Sequence, residues 1–191
     1  MEDNLPRGTT LLSGVVQVHF DGACQPARGG GVATYGFTVH GEGLEYEECG
    51  LAVPPGSPRA TNNVAEYSAA SRALEWLVSS GFRGSVVLTG DSQLVIRQMS
   101  GEYAVRTPHL KPYQQHLRQL AGRFETVQFV WVPRAENRRA DELSKQALEQ
   151  AAAELGRRKK GAPERLFDAQ GSGGPGSIDD LPVGSDDPDR S

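Results

Sequence analysis

Alternation of apolar and polar residues predicts the first strands of this chain. In VVQVHF, residues 15–20, Val16, Val18 and Phe20 share one face and Gln17 and His19 share the other, which is the period of a β-strand. Two more strands are predicted over 31–41 and 44–53, and the glycine-containing turn between them makes the pair a hairpin. Asp21 follows the first predicted strand directly, so we expect its side chain at the end of that strand.

Helical spacing and short apolar runs predict the rest of the fold. After TNN at 61–63, whose Asn side chains are suitable N-caps, apolar residues recur at helical spacing to about Ser79. The run SVVLTGD, residues 85–91, is typical of a buried parallel strand. The remaining elements are predicted as a helix from near Ser92, a helix over 109–123, a strand over 126–132, and a helix capped by Asn137 that runs to about Leu155.

This order of elements predicts an α/β fold. We expect one mixed sheet of five strands, with an antiparallel hairpin at one edge and helices on both faces. The folded domain is predicted to span 14–155, after a flexible N-terminus at 1–13. Residues 156–191 hold seven Gly, four Pro and a single aromatic residue, so we predict a disordered tail there.

Composition narrows the class of protein further. The chain has 191 residues, enough for one core, and it lacks both a membrane-length apolar run and the pattern of a signal peptide. We therefore expect a cytoplasmic protein. Cys24 and Cys49 are too few for a disulfide framework or a zinc site. The formal net charge of -4 disfavours bulk electrostatic binding of nucleic acid, so local clusters of Lys and Arg become important.

Four acids stand where an α/β sheet places its binding site. Such sites lie beyond the carboxyl ends of the strands, where Asp21 and Asp91 are expected. Glu66 is predicted in the first turn of its helix, where it complements the helix dipole, and Asp141 is predicted about one turn into the last helix. Each acid alone is more often a cap or a solvated group. Together they would repel one another unless a cation were bound. Oxygen donors favour hard divalent cations, and two ions about 4 Å apart suit in-line phosphoryl transfer.

The four acids lie in motifs that resemble those of the type 1 ribonuclease H family. The motifs are FDGAC at 20–24, TNNVAEY at 61–67, GDSQLV at 90–95 and ENRRADELS at 136–144. The chain looks most similar to the compact branch common in archaea and some bacteria, whose fifth strand runs into WVPR. This resemblance implies a ribonuclease H-like fold. It also implies an endoribonuclease that hydrolyses the RNA strand of RNA/DNA hybrids with two Mg²⁺ or Mn²⁺ ions.

The resemblance also implies roles for individual residues. Asp21 would bridge both ions, and Asp141 would complete the site of the ion that activates water. Glu66 and Asp91 would hold the ion that faces the leaving 3′ oxygen. Contacts with the hybrid are implied for Gly22, Cys24, Thr61, Asn62, Asn63 and Gln93. Capping and turn chemistry remain the alternative for the amides, and a small buried thiol remains the alternative for Cys24.

The chain departs from the family pattern in three places. Many relatives carry a His in the loop before the last acid, whereas Arg134 occupies the matching place here. An Arg can stabilise phosphate charge but cannot take up a proton, so we predict a contact with phosphate or product; the alternative is a solvated loop cation. Ala27 and Arg28 replace the Asn and Pro that relatives often have. The basic protrusion of larger relatives is absent from the sequence.

Local charge suggests where a duplex would bind. Residues 92–124 carry five cations and one acid, a net charge of +4, and this segment is either a footprint for the duplex backbone or a solvated helical face. The cations are Arg97, Arg106, Lys111, Arg118 and Arg123. The expected partner is an RNA/DNA hybrid, with double-stranded RNA as a further candidate, and the protein is expected to be a monomer without membrane contacts.

The sequence leaves three alternative functions. In the first, a protein of the same fold acts on double-stranded RNA or on ribonucleotides embedded in DNA. In another, the chain is a hybrid-binding module without catalysis, which the four intact acids disfavour. A 3′ to 5′ exonuclease has a related fold, but its acids follow a different order and it lacks TNN.

Overall fold

One sheet of five strands organises the chain, whose computed structural model describes residues 14–26 and 30–159, with the backbone alone for 158 and 159. The strands are β1 (Val15–Gln25), β2 (Val32–Gly41), β3 (Leu44–Leu51), β4 (Ser85–Gly90) and β5 (Thr126–Trp131). The helices are α1 (Asn62–Ser79), α2 (Gln93–Met99), α3 (Lys111–Ala121) and α4 (Arg138–Lys159), with short 3₁₀ turns at Pro108–Leu110 and Arg134–Glu136. The strand order is β3-β2-β1-β4-β5. The predicted mixed sheet with a hairpin edge is confirmed.

The central strand β1 is longer than predicted. Its parallel pairing with β4 ends at His19 and Thr89, whereas its antiparallel pairing with β2 continues to Gln25. Asp21 therefore lies inside β1 and not after it, because β2 continues to supply backbone partners where the apolar alternation has stopped. At Asp21 the edge of β1 that faces β4 is no longer covered by a strand. The cleft described below opens at this edge.

Helices cover both faces of the sheet, as predicted. α1 packs on the face of β1 that carries Val16, Val18 and Phe20, all three inaccessible to solvent, and α3 packs on α1. α4 packs on the opposite face, over β1, β2 and β3. Gly36 in β2 permits this approach, because a Cβ atom there would lie 2.5 Å from the backbone nitrogen of Ser144 in α4.

The start of α1 differs from the prediction. The N-cap is Thr61, whose hydroxyl accepts a hydrogen bond from the N–H of Val64 at 3.3 Å, so neither Asn caps the helix. Glu66 is the fifth residue of α1 and lies beyond its first turn. The predicted role of Glu66 in complementing the helix dipole is therefore wrong, since that effect falls off within the first turn.

The start and end of α4 also differ from the prediction. Asn137 directly precedes the helix, but its side chain is buried and donates to the carbonyl of Phe20 at 2.9 Å. It satisfies a strand carbonyl instead of the helix N-terminus. α4 continues to Lys159, so residues 156–159 belong to a helix and not to the predicted tail. The predictions for 1–13, for Ala27 and Arg28, and for the tail from 160 onward concern residues outside the described part of the chain.

Within residues 14–26 and 30–159, no helix combines the length and the apolar character that a bilayer crossing requires.

Candidate active site

Asp21, Glu66 and Asp91 converge where β4 ends. Asp91 directly follows β4, Asp21 lies in β1 just beyond the parallel pairing with that strand, and Glu66 projects from α1. One carboxylate oxygen from each residue lies within 4.8 Å of those of the other two. Asp21 and Glu66 are each only 5% exposed. Three carboxylates this close repel one another when ionised, and a bound cation would remove that repulsion.

Burial and mutual repulsion raise the pKa of two of these acids. Burial is the largest cause for Asp21, the charges of Asp91 and Asp141 add to it, and a hydrogen bond from Ser144 opposes it, which gives a pKa of about 7. Burial and then the charges of Asp21 and Asp91 hold the pKa of Glu66 well above its ordinary value. The Oε2 atom of Glu66 is buried and has no hydrogen-bond partner in the part of the chain that the structure describes. A buried carboxylate oxygen in this state is costly unless something else satisfies it.

Asp141 lines the same cleft, but two cations engage its carboxylate. Arg134 donates from Nη2 to Oδ1, and Lys145 donates from Nζ to Oδ2 at 2.6 Å. Partial burial alone would raise the pKa of Asp141, but these hydrogen bonds and charges outweigh it and hold the pKa below its ordinary value. Of the four predicted acids, the structure thus gathers three into one group and places the fourth beside them, paired with Arg134 and Lys145.

Three residues of the site make contacts that the sequence did not predict. Ser144 donates from Oγ to Oδ2 of Asp21, and the Nδ2 atom of Asn137 lies 3.5 Å from Oδ1 of Asp91. Lys145 is the third. Ser144 and Lys145 follow Asp141 by three and four residues, a spacing that places them on one helix face and could have identified them. The contacts of Asn137 join distant parts of the chain and have no local signal.

An open cleft of about 510 Å³ surrounds the carboxylates. Gly22, Cys24, Asn62 and Gln93 line it, whereas Thr61 and Asn63 are half-buried near the start of α1 and do not. Asn62 donates from Nδ2 to Oε1 of Glu66 at 3.4 Å, and Cys24 donates from Sγ to the carbonyl of Ala60 at 3.1 Å. Gln93 is exposed. The contacts of these six residues with a hybrid stay predictions, and four of the six are placed where a ligand in the cleft would meet them.

The predicted basic footprint is partly occupied by contacts within the chain. Arg97 donates to the hydroxyl of Tyr103 at 2.7 Å, and its guanidinium lies 5.2 Å from the centre of that ring. Arg118 reaches the backbone carbonyl of Gln98 at 3.4 Å. At least two of the five cations therefore make contacts within residues 92–124. The footprint for the duplex stays a prediction.

Known proteins share this fold. The family described as "Reverse transcriptase-like" matches residues 47–147. A "Ribonuclease HI" of Halobacterium salinarum is 40% identical over 140 residues, which are 72% of this chain and 66% of the relative. A "Ribonuclease H" of Halorhodospira halophila is 36% identical over 159 residues, with coverage of 75% of this chain and 99% of the relative. The structure of LC11-RNase H1 in complex with an RNA/DNA hybrid matches with a TM-score of 0.63 and 33% identity, over 72% of this chain and 99% of that one.

The sheet order and the carboxylate group define the ribonuclease H-like class of α/β folds. The chain belongs to the ribonuclease H family. It spans 66% of the length of the halobacterial relative and 26% of the length of three mycobacterial proteins that it also matches. The resemblance drawn from the four motifs is thereby confirmed.

Proposed function

We propose that this protein is an endoribonuclease that hydrolyses the RNA strand of RNA/DNA hybrids with the help of divalent cations. The observation that carries the proposal is the group formed by Asp21, Glu66 and Asp91, whose carboxylate oxygens lie within 4.8 Å of one another in an open cleft. Membership of the ribonuclease H family supports the reaction type. The hybrid bound to LC11-RNase H1, a protein 33% identical to this chain, supports the substrate class.

The donor set fits a hard divalent cation. Asp21, Glu66 and Asp91 offer oxygen atoms alone, and oxygen donors suit Mg²⁺ and Mn²⁺ better than softer metals. The buried Oε2 atom of Glu66 has no hydrogen-bond partner among the described residues, so it could accept such an ion. When bound, divalent cations would polarise the phosphodiester and make a water molecule more acidic. We propose two ions per site with substrate present, with Asp141 as the fourth ligand.

The chain's own groups would orient and neutralise the substrate. Arg134 and Lys145 place two positive charges beside Asp141 at the rim of the cleft, where they would attract a phosphate group. Asn62 and Gln93 offer amides in the same cleft, which suit the 2′-hydroxyl groups and base edges of a wide minor groove. Recognition of the 2′-hydroxyl is how a protein distinguishes RNA from DNA at a given position.

We also propose an oligomeric state and a location for the protein. A monomeric state rests on the domain's single core, and a cytoplasmic location rests on the composition and on the free thiols of Cys24 and Cys49. Double-stranded RNA and single ribonucleotides in DNA are kept as outcomes of the test below.

Cleavage of labelled duplexes of one sequence tests the proposed function. The substrates are an RNA/DNA hybrid, double-stranded RNA, double-stranded DNA, and DNA with one embedded ribonucleotide, each incubated with Mg²⁺, Mn²⁺ or chelator. We expect internal cuts in the RNA strand of the hybrid, with either cation and not with chelator. Binding of the hybrid without cleavage under all conditions would instead identify a binding module. Faster cleavage of either RNA-containing alternative would change the substrate class.

A further inference from the structure

We propose that Ser144 is a positioning residue for Asp21, and that its hydroxyl sets the orientation in which this carboxylate receives divalent cations. The inference rests on the proposed function and assigns a role to a residue of α4 that is fully buried behind the cleft. Ser144 is not among the residues that line the cleft, so its effect would pass through Asp21.

The hydroxyl of Ser144 has two acceptors. It donates to Oδ2 of Asp21, and the backbone carbonyl of Asp141, one turn earlier in α4, lies 3.0 Å away. Among residues 14–26 and 30–159, Ser144 is the side-chain donor that reaches the Asp21 carboxylate. Ser144 is 0% exposed, so water does not compete for this contact. One oxygen of Asp21 is therefore held toward α4.

The position of Ser144 is itself fixed from β2. Thr34 donates from Oγ1 to the backbone carbonyl of Ser144 at 2.8 Å, and both residues are fully buried. Gly36 is the cross-strand partner of Asp21, and its missing side chain leaves the space in which the Ser144 backbone lies. The turn of α4 that carries Ser144 thus packs directly against Gly36, next to Asp21 in the sheet. The hydroxyl is anchored independently of the carboxylate that it orients.

The surroundings of Asp21 explain why an anchored donor matters. Asp91, Asp141 and Glu66 repel this carboxylate in the absence of cations, whereas the charge of Arg134 attracts it. Without the hydroxyl, repulsion would turn the carboxylate away from its neighbours, and cation binding would have to restore its orientation. Hydrogen-bonding partners that orient a metal ligand commonly change metal affinity or activity by about 10- to 100-fold.

Ser144→Ala tests this role, and Ser71→Ala is the matched control. Ser71 is another fully buried helical serine, and within residues 14–26 and 30–159 its hydroxyl has no hydrogen-bond partner. For each variant the melting temperature is measured in chelator and during titration with Mg²⁺ and Mn²⁺, and kcat and KM are measured on the hybrid. We expect Ser144→Ala to need roughly 10- to 100-fold more cation for half of the thermal shift and to lose kcat with little change in KM. Ser71→Ala should match the wild type.

A pair of isosteric variants separates orientation from packing. Ser144→Thr keeps the hydroxyl and Ser144→Val does not, although both add the same bulk. Recovery of the cation response in the Thr variant but not in the Val variant supports the inference. An unchanged cation response in Ser144→Ala overturns it, and so does a lower melting temperature in chelator with an unchanged cation response, which would show a purely structural role.

The two proposals fail in different ways. If the wild-type protein is stabilised by Mg²⁺ but does not cleave the hybrid, the proposed function fails, and the cation titrations still decide the role of Ser144. If the wild-type protein cleaves the hybrid and Ser144→Ala cleaves it equally well at limiting Mg²⁺, the inference alone fails. A wild-type protein without any cation response would overturn both.

Discussion

The guanidinium of Arg134 hydrogen-bonds the carboxylate of Asp141, a residue that the sequence predicts as a metal ligand. Lys145 binds the other oxygen of the same carboxylate. In this arrangement two side-chain cations neutralise Asp141, whereas among residues 14–26 and 30–159 no Lys or Arg hydrogen-bonds Asp21, Glu66 or Asp91. Arg134 is 65% exposed in its side chain, so it can exchange Asp141 for a phosphate group at little cost in burial.

Replacement of Arg134 by Ala should lower kcat roughly 100-fold and raise KM much less, because a charge-assisted contact that strengthens in the transition state is lost. Steady-state cleavage of a labelled hybrid measures both constants. Arg134→Lys should recover part of the rate, since the positive charge is kept while the planar guanidinium group is lost. Arg138→Ala is the control, because Arg138 is exposed and donates to the carbonyl of Ala135 outside the cleft. A wild-type rate for Arg134→Ala across pH 6 to 9 would identify Arg134 as a solvated loop cation.

Replacement of Asp21 by Asn should reduce cleavage at least 100-fold in Mg²⁺, because an amide removes the negative charge that the cations require. In chelator the same variant should melt at a higher temperature than the wild type, since one of the repelling buried acids is gone. Activity assays and thermal denaturation check the two effects. Glu142→Gln, which alters an exposed acid on α4, should change neither. Substantial cleavage by Asp21→Asn would remove Asp21 from the proposed metal site.

The stability of the cation-free protein should fall as pH rises from about 5 to about 8. Asp21 has a pKa of about 7 in the folded protein against an ordinary value of 3.8, and the pKa of Glu66 is shifted in the same direction. An acid with a raised pKa binds its proton more tightly when folded, so its contribution is complete below the ordinary pKa and is lost as pH passes the folded value. Thermal denaturation in chelator at several pH values measures the trend. Asp21→Asn should flatten it, and an equally steep fall in that variant would contradict this origin.

Replacement of Tyr67 by Phe should lower the free energy of unfolding by about 1–2 kcal/mol. The hydroxyl of Tyr67 donates to Oε1 of the buried Gln98 at 2.7 Å and so joins α1, which carries Glu66, to α2, which follows Asp91. Loss of the donor leaves a buried amide oxygen unsatisfied. Urea denaturation in chelator provides the measurement. Tyr103→Phe also removes a tyrosine hydrogen bond, but at an exposed site, and it should cost much less; equal costs would argue against the importance of burial here.

Replacement of Gly36 by Ala should destabilise the protein by about 1–3 kcal/mol or more, because the new Cβ would lie 2.5 Å from the backbone of Ser144. The variant should also need more Mg²⁺ for cleavage, since α4 carries both Ser144 and Asp141. Gly156→Ala is a suitable control: its Cβ would project into open space from α4, and helix propensity favours the change by up to about 1 kcal/mol. Denaturation and cation titration of both variants test the contact. A neutral Gly36→Ala would show that α4 can move away without loss.

Local patterns in the sequence predict the elements well and their junctions poorly. Alternation located the strands, and strand ends placed Asp21 and Asp91 at one edge, because both signals are properties of neighbouring residues. The length of β1 depended on β2, which pairs with it as far as Gln25. Glu66 was placed too early in α1 because Thr61, not an Asn, caps the helix.

Within the candidate site, too, features set by neighbouring residues are predictable from the sequence and contacts between distant residues are not. The four motifs predict the four acids, but the pairing of Asp141 with Arg134 depends on where the loop before α4 folds back, whereas its pairing with Lys145 has the i to i+4 spacing of one helix face. Ser144 has the spacing of a residue on the Asp141 face, but its contact with Asp21 needs the absent side chain of Gly36. The contact between Ser144 and Asp21 joins residues 123 positions apart, and periodicity carries no information about it.

The early end of the pairing between β1 and β4 has a structural cost that Asn137 offsets. Beyond His19 and Thr89 the ladder would leave the carbonyl of Phe20 without a strand partner, and the amide of Asn137 takes that place. A side-chain amide has the same donor and acceptor groups as a peptide unit. Asn137 therefore takes the place that a further backbone N–H of β4 would have in the ladder. Where β1 and β4 separate to form the cleft, a single side-chain amide thus satisfies the backbone carbonyl that the separation exposes.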